Sequence, residues 1–413
     1  MKVAVNLLWL VPGVVGGSET AVTGLLRELA EDPPDDVELT LFALDEFGAV
    51  HRDLVAAFPT RLVPLTGRLK PLRVVAENTW LARRLGEGFD LVHHMGGVVP
   101  LVGSVPSVVT VHDLQPYDLP ENFSLAKRLY LQRTLPTSVR RARVVIAPSE
   151  FVRRGVIERF RIAPERVRMV PWACEPPSSE VSVAEVQARY RLPRRWFVYP
   201  AFTWWHKDHT VLLQAFAQIA AHEYDVVLVL TGGVGPAEEA VRDQIARLGL
   251  SDRVRRTGLI PRRDVLAIIR GAVAVTWPSR YEGFGLPALE AMQLGTPLLA
   301  AGGTGLSELV EGAGRLLPTR DPAAWADAMA AMLEVDDDER AALAVVGRER
   351  AAHYSLAVTA AGTVAAYRQA VTEVPAPTEE TEAPAPTEDT EAPAPTEETE
   401  VPAPTEDDNG VAT

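Results

Sequence analysis

The 413 residues are 47% hydrophobic and 23% charged, enough for two globular domains of ordinary size. The net charge of −14 misleads, because from Glu373 onward there are 13 acidic residues and no Lys or Arg, leaving 42 acids against 41 bases before it. A nearly neutral body argues against nucleic-acid binding, no run reaches the ~18 apolar residues of a membrane span, and the single Cys174 can form no internal disulfide, which fits a reducing cytoplasm.

The opening run Lys2–Leu10 is apolar but ends at Pro12-Gly13 without a cleavage pattern, so it predicts a first β-strand rather than a signal peptide. Strand-like runs follow at Val37–Ala43, Leu91–His94, Ser107–His112, Val144–Ala147 and Arg168–Val170, alternating with helical patterns as in a doubly wound α/β domain. Between the first strand and an amphipathic helix over Thr20–Glu31 lies a turn containing Gly16, Gly17 and Glu19. It stands at the carboxyl end of a strand, where open α/β sheets bind ligands, although Glu19 alone is also an ordinary first-turn acid. His112 and Asp113 end another strand, and the Pro-broken loop from Leu114 to Phe123, with Tyr117, suits recognition. Ser124–Arg143 reads as a helical segment interrupted at Pro136. Its Lys127, Arg128, Arg133, Arg140, Arg141 and Arg143 form either a solvated face or a surface for anionic lipid headgroups. Ser149 is a natural N-cap for the helix after it.

Pro171–Ser182 reads as a linker, after which a second α/β pattern begins, with strands at Trp196–Pro200, Val226–Thr231, Val254–Arg256, Ala272–Thr276 and Pro297–Ala301. Lys207 occupies a strand-to-helix turn, where an ammonium can neutralise a pyrophosphate or simply face solvent. Gly258 and Leu259 follow a later strand, and Arg262 and Arg263 read as surface residues. From Asp321 to Gln369 the pattern is helical and Ala-rich. The tail repeats a Pro/Ala/Thr/Glu unit every nine residues, with Pro375, Pro384, Pro393 and Pro402 opening successive copies, and such a segment cannot bury a core.

The stretch from Trp277 to Met292 organises the rest. Gly283 and Gly285 let the backbone turn tightly, Pro287 suits the first turn of a helix, and Gly295 stops that helix after Leu294. Amides at the helix start form an anion site, while Glu282 before the helix and Glu290 about one turn into it can face one crevice. Two carboxylates would repel a bare phosphate, so the ligand should also carry hydroxyls, as a nucleotide-activated sugar does. By spacing alone the stretch also fits an ordinary strand–loop–helix unit with surface glutamates.

The stretch resembles the E-x7-E signature of the retaining, nucleotide-sugar-dependent glycosyltransferases of the GT-B fold, the broad family that holds bacterial mannosyltransferases and sucrose and glycogen synthases; Glu282, Glu290, Gly283, Gly285, Phe284 and Pro287 stand where that pattern places them. The resemblance covers about residues 1–370. It implies two Rossmann-like domains facing a cleft, an acceptor domain over 1–172 and a donor domain over 183–356, with a crossover helix over 357–372 and a disordered tail over 373–413. It further implies Glu282, His112 and Lys207 as catalytic residues. The donor would be held by Gly16, Gly17, Lys207, Gly258, Leu259, Gly283, Phe284, Gly285, Leu286 and Glu290, and the acceptor by Glu19, Asp113 and Tyr117. The loop Gly302–Gly305 with Glu308 would abut the sugar. An arginine usual in the family about six residues before Lys207 is absent, because Ala201 holds its place. The expected donor is a nucleotide-diphosphate sugar, with GDP-mannose the first guess from the likeness to mannosyl- and rhamnosyltransferases of polysaccharide synthesis. The acceptor would be a glycan, a lipid-linked glycan or a small molecule, and no cofactor or essential metal is expected. The protein would work in the cytoplasm, with Ser124–Arg143 as a candidate contact to the inner face of the membrane and no partner evident for the tail. A sugar-nucleotide epimerase, a phosphorylase and a non-catalytic sugar-nucleotide-binding subunit are the competing readings.

Overall fold

The computed structural model describes residues 1–67, 69–100, 105–178 and 180–372; the expected repeat tail over 373–413 lies outside the described residues. Two all-parallel sheets make up the fold. The first holds β1 (Lys2–Asn6), β2 (Glu38–Leu44), β3 (Thr60–Val63), β4 (Leu91–His94), β5 (Ser107–Thr110), β6 (Val144–Ala147) and β7 (Val167–Met169), in the order β3-β2-β1-β4-β5-β6-β7. The second holds β8 (Arg195–Pro200), β9 (Val226–Thr231), β10 (Val254–Gly258), β11 (Ala274–Trp277), β12 (Leu298–Ala301) and β13 (Arg315–Leu317), in the order β10-β9-β8-β11-β12-β13. In each sheet the strand order reverses once, between β1 and β4 and between β8 and β11, and at such a switch point adjacent loops diverge and open a crevice.

The central strands are the apolar runs of the sequence, buried throughout as parallel strands must be. The two strands that the sequence does not announce, β3 and β13, are short edge strands with exposed positions, and a half-solvated edge needs no continuous apolar run. The first strand is shorter than its apolar run: Asn6 Oδ1 accepts the Leu8 amide at 3.1 Å, and this turn ends β1 while Leu7, Leu8 and Leu10 go on into the core.

Seven helices bear on the site and its surroundings: α1 (Gly17–Glu31), α2 (Lys70–Ala76), α3 (Leu125–Arg141), α4 (Glu150–Phe160), α5 (Arg262–Gly271), α6 (Leu286–Leu294) and α7 (Leu356–Val371). Contrary to expectation, α3 runs unbroken through Pro136. Proline cannot bond the carbonyl four residues back, and that carbonyl, of Gln132, accepts the Tyr117 hydroxyl at 3.0 Å instead. The C-terminal α7 packs on the seven-stranded half, with Tyr367 Oη 2.9 Å from His93 Nδ1 and Thr359 Oγ1 donating to the Pro171 carbonyl at 2.8 Å.

Candidate active site

The loops that leave the two switch points carry the candidate residues and meet one another. After β8, a single helical turn over Trp205–Lys207 ends at Asp208, whose left-handed backbone (φ 47°) and side-chain cap start the next helix. The turn is pinned from below by Tyr199 Oη, which donates to the Lys207 carbonyl at 2.8 Å. Lys207 Nζ then reaches the loop after β11 and donates to Glu282 Oε1 at 2.6 Å, and Trp277 Nε1 donates to the same oxygen at 2.7 Å. The Glu282 side chain is only 12% exposed. Burial opposes its charge, but the Lys207 ammonium and the hydrogen bonds it receives hold the carboxyl below its ordinary value. An ionised carboxylate and an ammonium are therefore stored side by side at the junction of the loops after β8 and β11.

Gly283 and Gly285 are required by geometry. A Cβ on Gly283 would stand 2.4 Å from the His112 carbonyl oxygen of the other half, and Gly285 has φ 108°. Helix α6 starts at Leu286 and ends at Gly295, as its sequence predicts. Pro287 has no N–H and the Ala288 amide turns back to Gly285, while the amides of Gly285 and Leu286 have no acceptor among the described residues. Phe284 and Leu286 are buried; Phe284 packs against Trp172 and Tyr354, so its side chain serves the core and only its backbone faces the loop. Glu290 is buried, and its Oε1 accepts Arg262 Nη2 of α5 at 2.6 Å. Arg262 is thus not a bystander at the surface but the cation paired with the second glutamate. Its sequence signal was ambiguous, because an Arg-Arg pair opening a helix looks solvated and its partner lies 28 residues on.

From the seven-stranded half come Gly16, with φ 63°, and Gly17, whose added Cβ would touch Leu286 at 3.7 Å. Glu19 closes this loop on itself, accepting the Gly13 amide at 2.7 Å and pairing with His51 Nε2 at 2.9 Å, so its carboxylate is committed within the fold. His112 follows β5, flanked by the rings of Trp9 and Trp172 at 5.1 Å each, a pairing no local pattern announced. Burial lowers its pKa to about 4, so the ring is neutral near pH 7. Its Nε2 lies 2.5 Å from the Met95 carbonyl and must carry the proton, which leaves Nδ1 a bare acceptor with no partner among the described residues. Asp113 lies beside Gly283, and burial, with the Glu282 charge adding to it, pushes its carboxyl up.

Not all the expected residues converge. Tyr117 is turned into its own half, where its hydroxyl replaces the proline-silenced amide and Arg159 covers its ring. Gly258 (φ 66°) ends the edge strand β10 and Leu259 is 74% exposed, away from the Lys207–Glu282 pair by two strands of the sheet. Glu308, expected beside the sugar, instead caps α4: its two oxygens accept the Glu150 and Phe151 amides at 2.7 and 2.6 Å. Ser149, the N-cap of α4, donates to the Gly283 carbonyl at 2.6 Å, the Leu114 amide donates to Tyr281 Oη at 2.9 Å, and Asn122 Nδ2 meets His206 Nδ1 at 3.2 Å. These contacts hold the two halves in register around the loops. Among the described residues no group of three or more His, Cys, Asp or Glu side chains could hold a metal ion.

The sequence family described as Glycosyltransferase Family 4 matches residues 15–175, and the one described as Glycosyl transferases group 1 matches residues 194–335, so the loops bearing Gly16, His112, Lys207 and Glu282 all lie in matched segments. O-antigen chain mannosyltransferase B of Escherichia coli is 27% identical over 267 residues, 63% of this chain and 70% of that protein. D-inositol 3-phosphate glycosyltransferase of Corynebacterium urealyticum is 38% identical over 174 residues, but the match spans only 41% of its length. Among solved structures, Anabaena HepE in complex with UDP and glucose superimposes with a TM-score of 0.71 at 21% identity, covering 89% of this chain and 99% of that one, a likeness of fold.

Proposed function

The chain belongs to the glycosyltransferases of the GT-B fold, and we propose that it moves a hexose from a nucleotide-diphosphate sugar to a glycan, glycolipid or small-molecule acceptor with retention at the anomeric carbon. The observation that carries this reading is the convergence of Lys207, Glu282 and the Gly283–Gly285 turn of one half with His112 of the other. The donor's phosphates would lie over the amides of Gly285 and Leu286, with Lys207 as a point charge beside them and Glu290 on the ribose. Gly16 and Gly17 let backbone approach the same phosphates from across the cleft. Neutral His112, its Nε2–H committed to Met95, offers Nδ1 to a hydroxyl of the transferred sugar.

In the transfer step the bond between C1 of the sugar and the β-phosphate oxygen breaks as an acceptor oxygen bonds to C1 on the same face. The acceptor's proton passes to the departing phosphate oxygen. Charge therefore grows on that phosphate, and fixed donors aimed at developing charge contribute the largest catalytic effect. Glu282 holds the sugar and keeps Lys207 in place. A hexose of the mannose type, with GDP-mannose the first donor to try, is favoured by the O-antigen mannosyltransferases among the relatives. We expect transfer to proceed without added metal and to persist in EDTA.

A panel of nucleotide sugars, followed by proton NMR without acceptor, tests the reading. One donor should broaden and slowly release its sugar in the anomeric form it had in the donor. Release of the opposite anomer would overturn retention, and conversion of the donor to its epimer would overturn transfer.

A further inference from the structure

Large apolar side chains stand exposed on two elements of the seven-stranded half. Leu69, Leu72 and Val75 on and just before α2, and Leu125, Leu129 and Tyr130 on α3, are each between 37% and 63% exposed. Leu69, Leu72 and Val75 are three residues apart and Leu125 and Leu129 four, which puts each set along one side of its helix, with Tyr130 next to Leu129. Basic residues interleave with them: Lys70 and Arg73 on α2, and Lys127, Arg128 and Arg133 on α3, while neither helix contains an acidic residue. Burial lowers the pKa of Lys127, and Lys70 stands near enough to disfavour its charge further. Lys70 and Lys127 have no carboxylate within ion-pair distance among the described residues, and the buried Arg128 Nε has no hydrogen-bond partner. In a body with nearly balanced charge, an acid-free strip of unpaired cations and bare leucines calls for a partner that is anionic and apolar at once.

The strip continues to the mouth of the active site. Lys127 covers the Phe123 ring at 4.7 Å, and Asn122 beside it bonds His206 of the other half. His206 directly follows Trp204 and Trp205, which are 39% and 48% exposed, and its ring lies 6.5 Å from that of Trp204. Indole rings favour the headgroup level of a bilayer, where one edge is wet and the face is apolar.

We propose that α2, α3 and the Trp204-Trp205 turn together form a docking face for an anionic lipid bilayer, with the leucines and indoles entering the headgroup boundary and the lysines and arginines paired to lipid phosphates. This rests on the glycosyltransferase reading only for its purpose, which is to bring a membrane-held acceptor to the cleft; the docking itself needs neither donor nor acceptor.

Flotation of the full chain with vesicles tests it. The protein should rise with vesicles containing phosphatidylglycerol and stay down with pure phosphatidylcholine. The pair L72E/L125E should weaken binding by about tenfold or more, and K70E/K127E by about tenfold with loss of the salt dependence. All four positions lie outside the catalytic loops and at the surface, so both variants should melt with the wild type. Absence of binding, equal binding to neutral vesicles, or binding indifferent to L72E/L125E would each overturn the proposal. So would a dimer in light scattering that the same substitutions abolish, because the face would then belong to a second copy. None of these results would touch the transfer reading, which the donor assay decides separately.

Discussion

Each sheet keeps a buried glutamate at its switch point, and the two behave oppositely. In the six-stranded half, Glu282 follows β11 and takes two charge-assisted or indole donors, one of them the Lys207 ammonium, so it stays ionised. In the seven-stranded half, Glu77 lies on a π-helical turn after α2, against the ends of β1 and β4, where Asn6 Nδ2 donates to it at 3.4 Å and also meets His94 Nδ1 at 3.1 Å. Burial lifts Glu77 to about 7, and the Arg73 charge, beyond ion-pair distance, compensates only in part. Burial alone neutralises a carboxylate, and a bonded cation reverses the outcome. The same residue type near the switch points of two similar sheets thus becomes a fixed anion in one and, in the other, a group that takes up its proton near pH 7.

The comparison can be broken most severely with acid. Burial lowers His93, His94 and His209 to about 3 and His112 and His206 to about 4, and several of these rings touch one switch point or the other. A folded pKa below the unfolded one means that the unfolded chain binds more protons. The stability these rings contribute is present above about pH 6.5 and is lost as the pH falls toward 4. Denaturant midpoints should drop steadily below pH 6.5, and midpoints flat down to pH 4 would show that the rings are solvated.

Removing the cation should turn one glutamate into the other. Lys207→Met leaves Glu282 buried without its ammonium, so its carboxyl should move upward as that of Glu77 does. Transfer should fall about 10²–10³-fold, the usual cost of losing one fixed donor to developing charge. Carbon NMR of the labelled carboxyl and single-turnover rates would read both, and a Glu282 that still titrates in the ordinary range would break the comparison.

The reverse experiment is Glu77→Gln, which keeps the acceptor for Asn6 and removes the buried acid. Glu77 favours the folded state fully below about pH 4.5, and that advantage disappears as the pH rises through 7. The variant should therefore be more stable than the wild type at pH 8, by about 3 kcal/mol at most, and the gap should close by pH 4.5. A gap that is the same at both pH values would assign the effect to packing.

The smallest effect is expected at the second glutamate. Arg262→Ala should raise the donor KM about tenfold with little change in kcat if Arg262 merely orients Glu290 for ground-state binding. Arg262→Lys should recover part of that loss. Equal losses in kcat and kcat/KM would instead place the guanidinium at the reacting phosphates.

Much of this site is visible in the sequence because its constraints are local. A glycine at φ 108°, a proline at the head of α6 and a glycine at its end are demands of backbone geometry, and so they appear as residues in order along the chain. Lys207 and His112 are readable for a related reason, since each lies in the loop that leaves an apolar strand. Pairings across distance are not readable. Arg262 looks like solvent-facing charge until α5 turns it onto Glu290, and Tyr117 looks like a recognition residue until Pro136 leaves a carbonyl in need of a donor. Glu308 is legible as an acid near a glycine turn, but α4, whose amides it caps, begins 158 residues earlier.

By itself, then, the sequence determined the alternation of strands and helices, the two glycine-turned loops and the chemical types gathered on them, because strand burial and turn geometry act within a few residues. Tertiary structure alone decided which charges are paired, which histidine nitrogen is bare, and which glutamate is held ionised. Those properties depend on burial and on partners within about 4 Å, and only the packing of one half against the other fixes such distances.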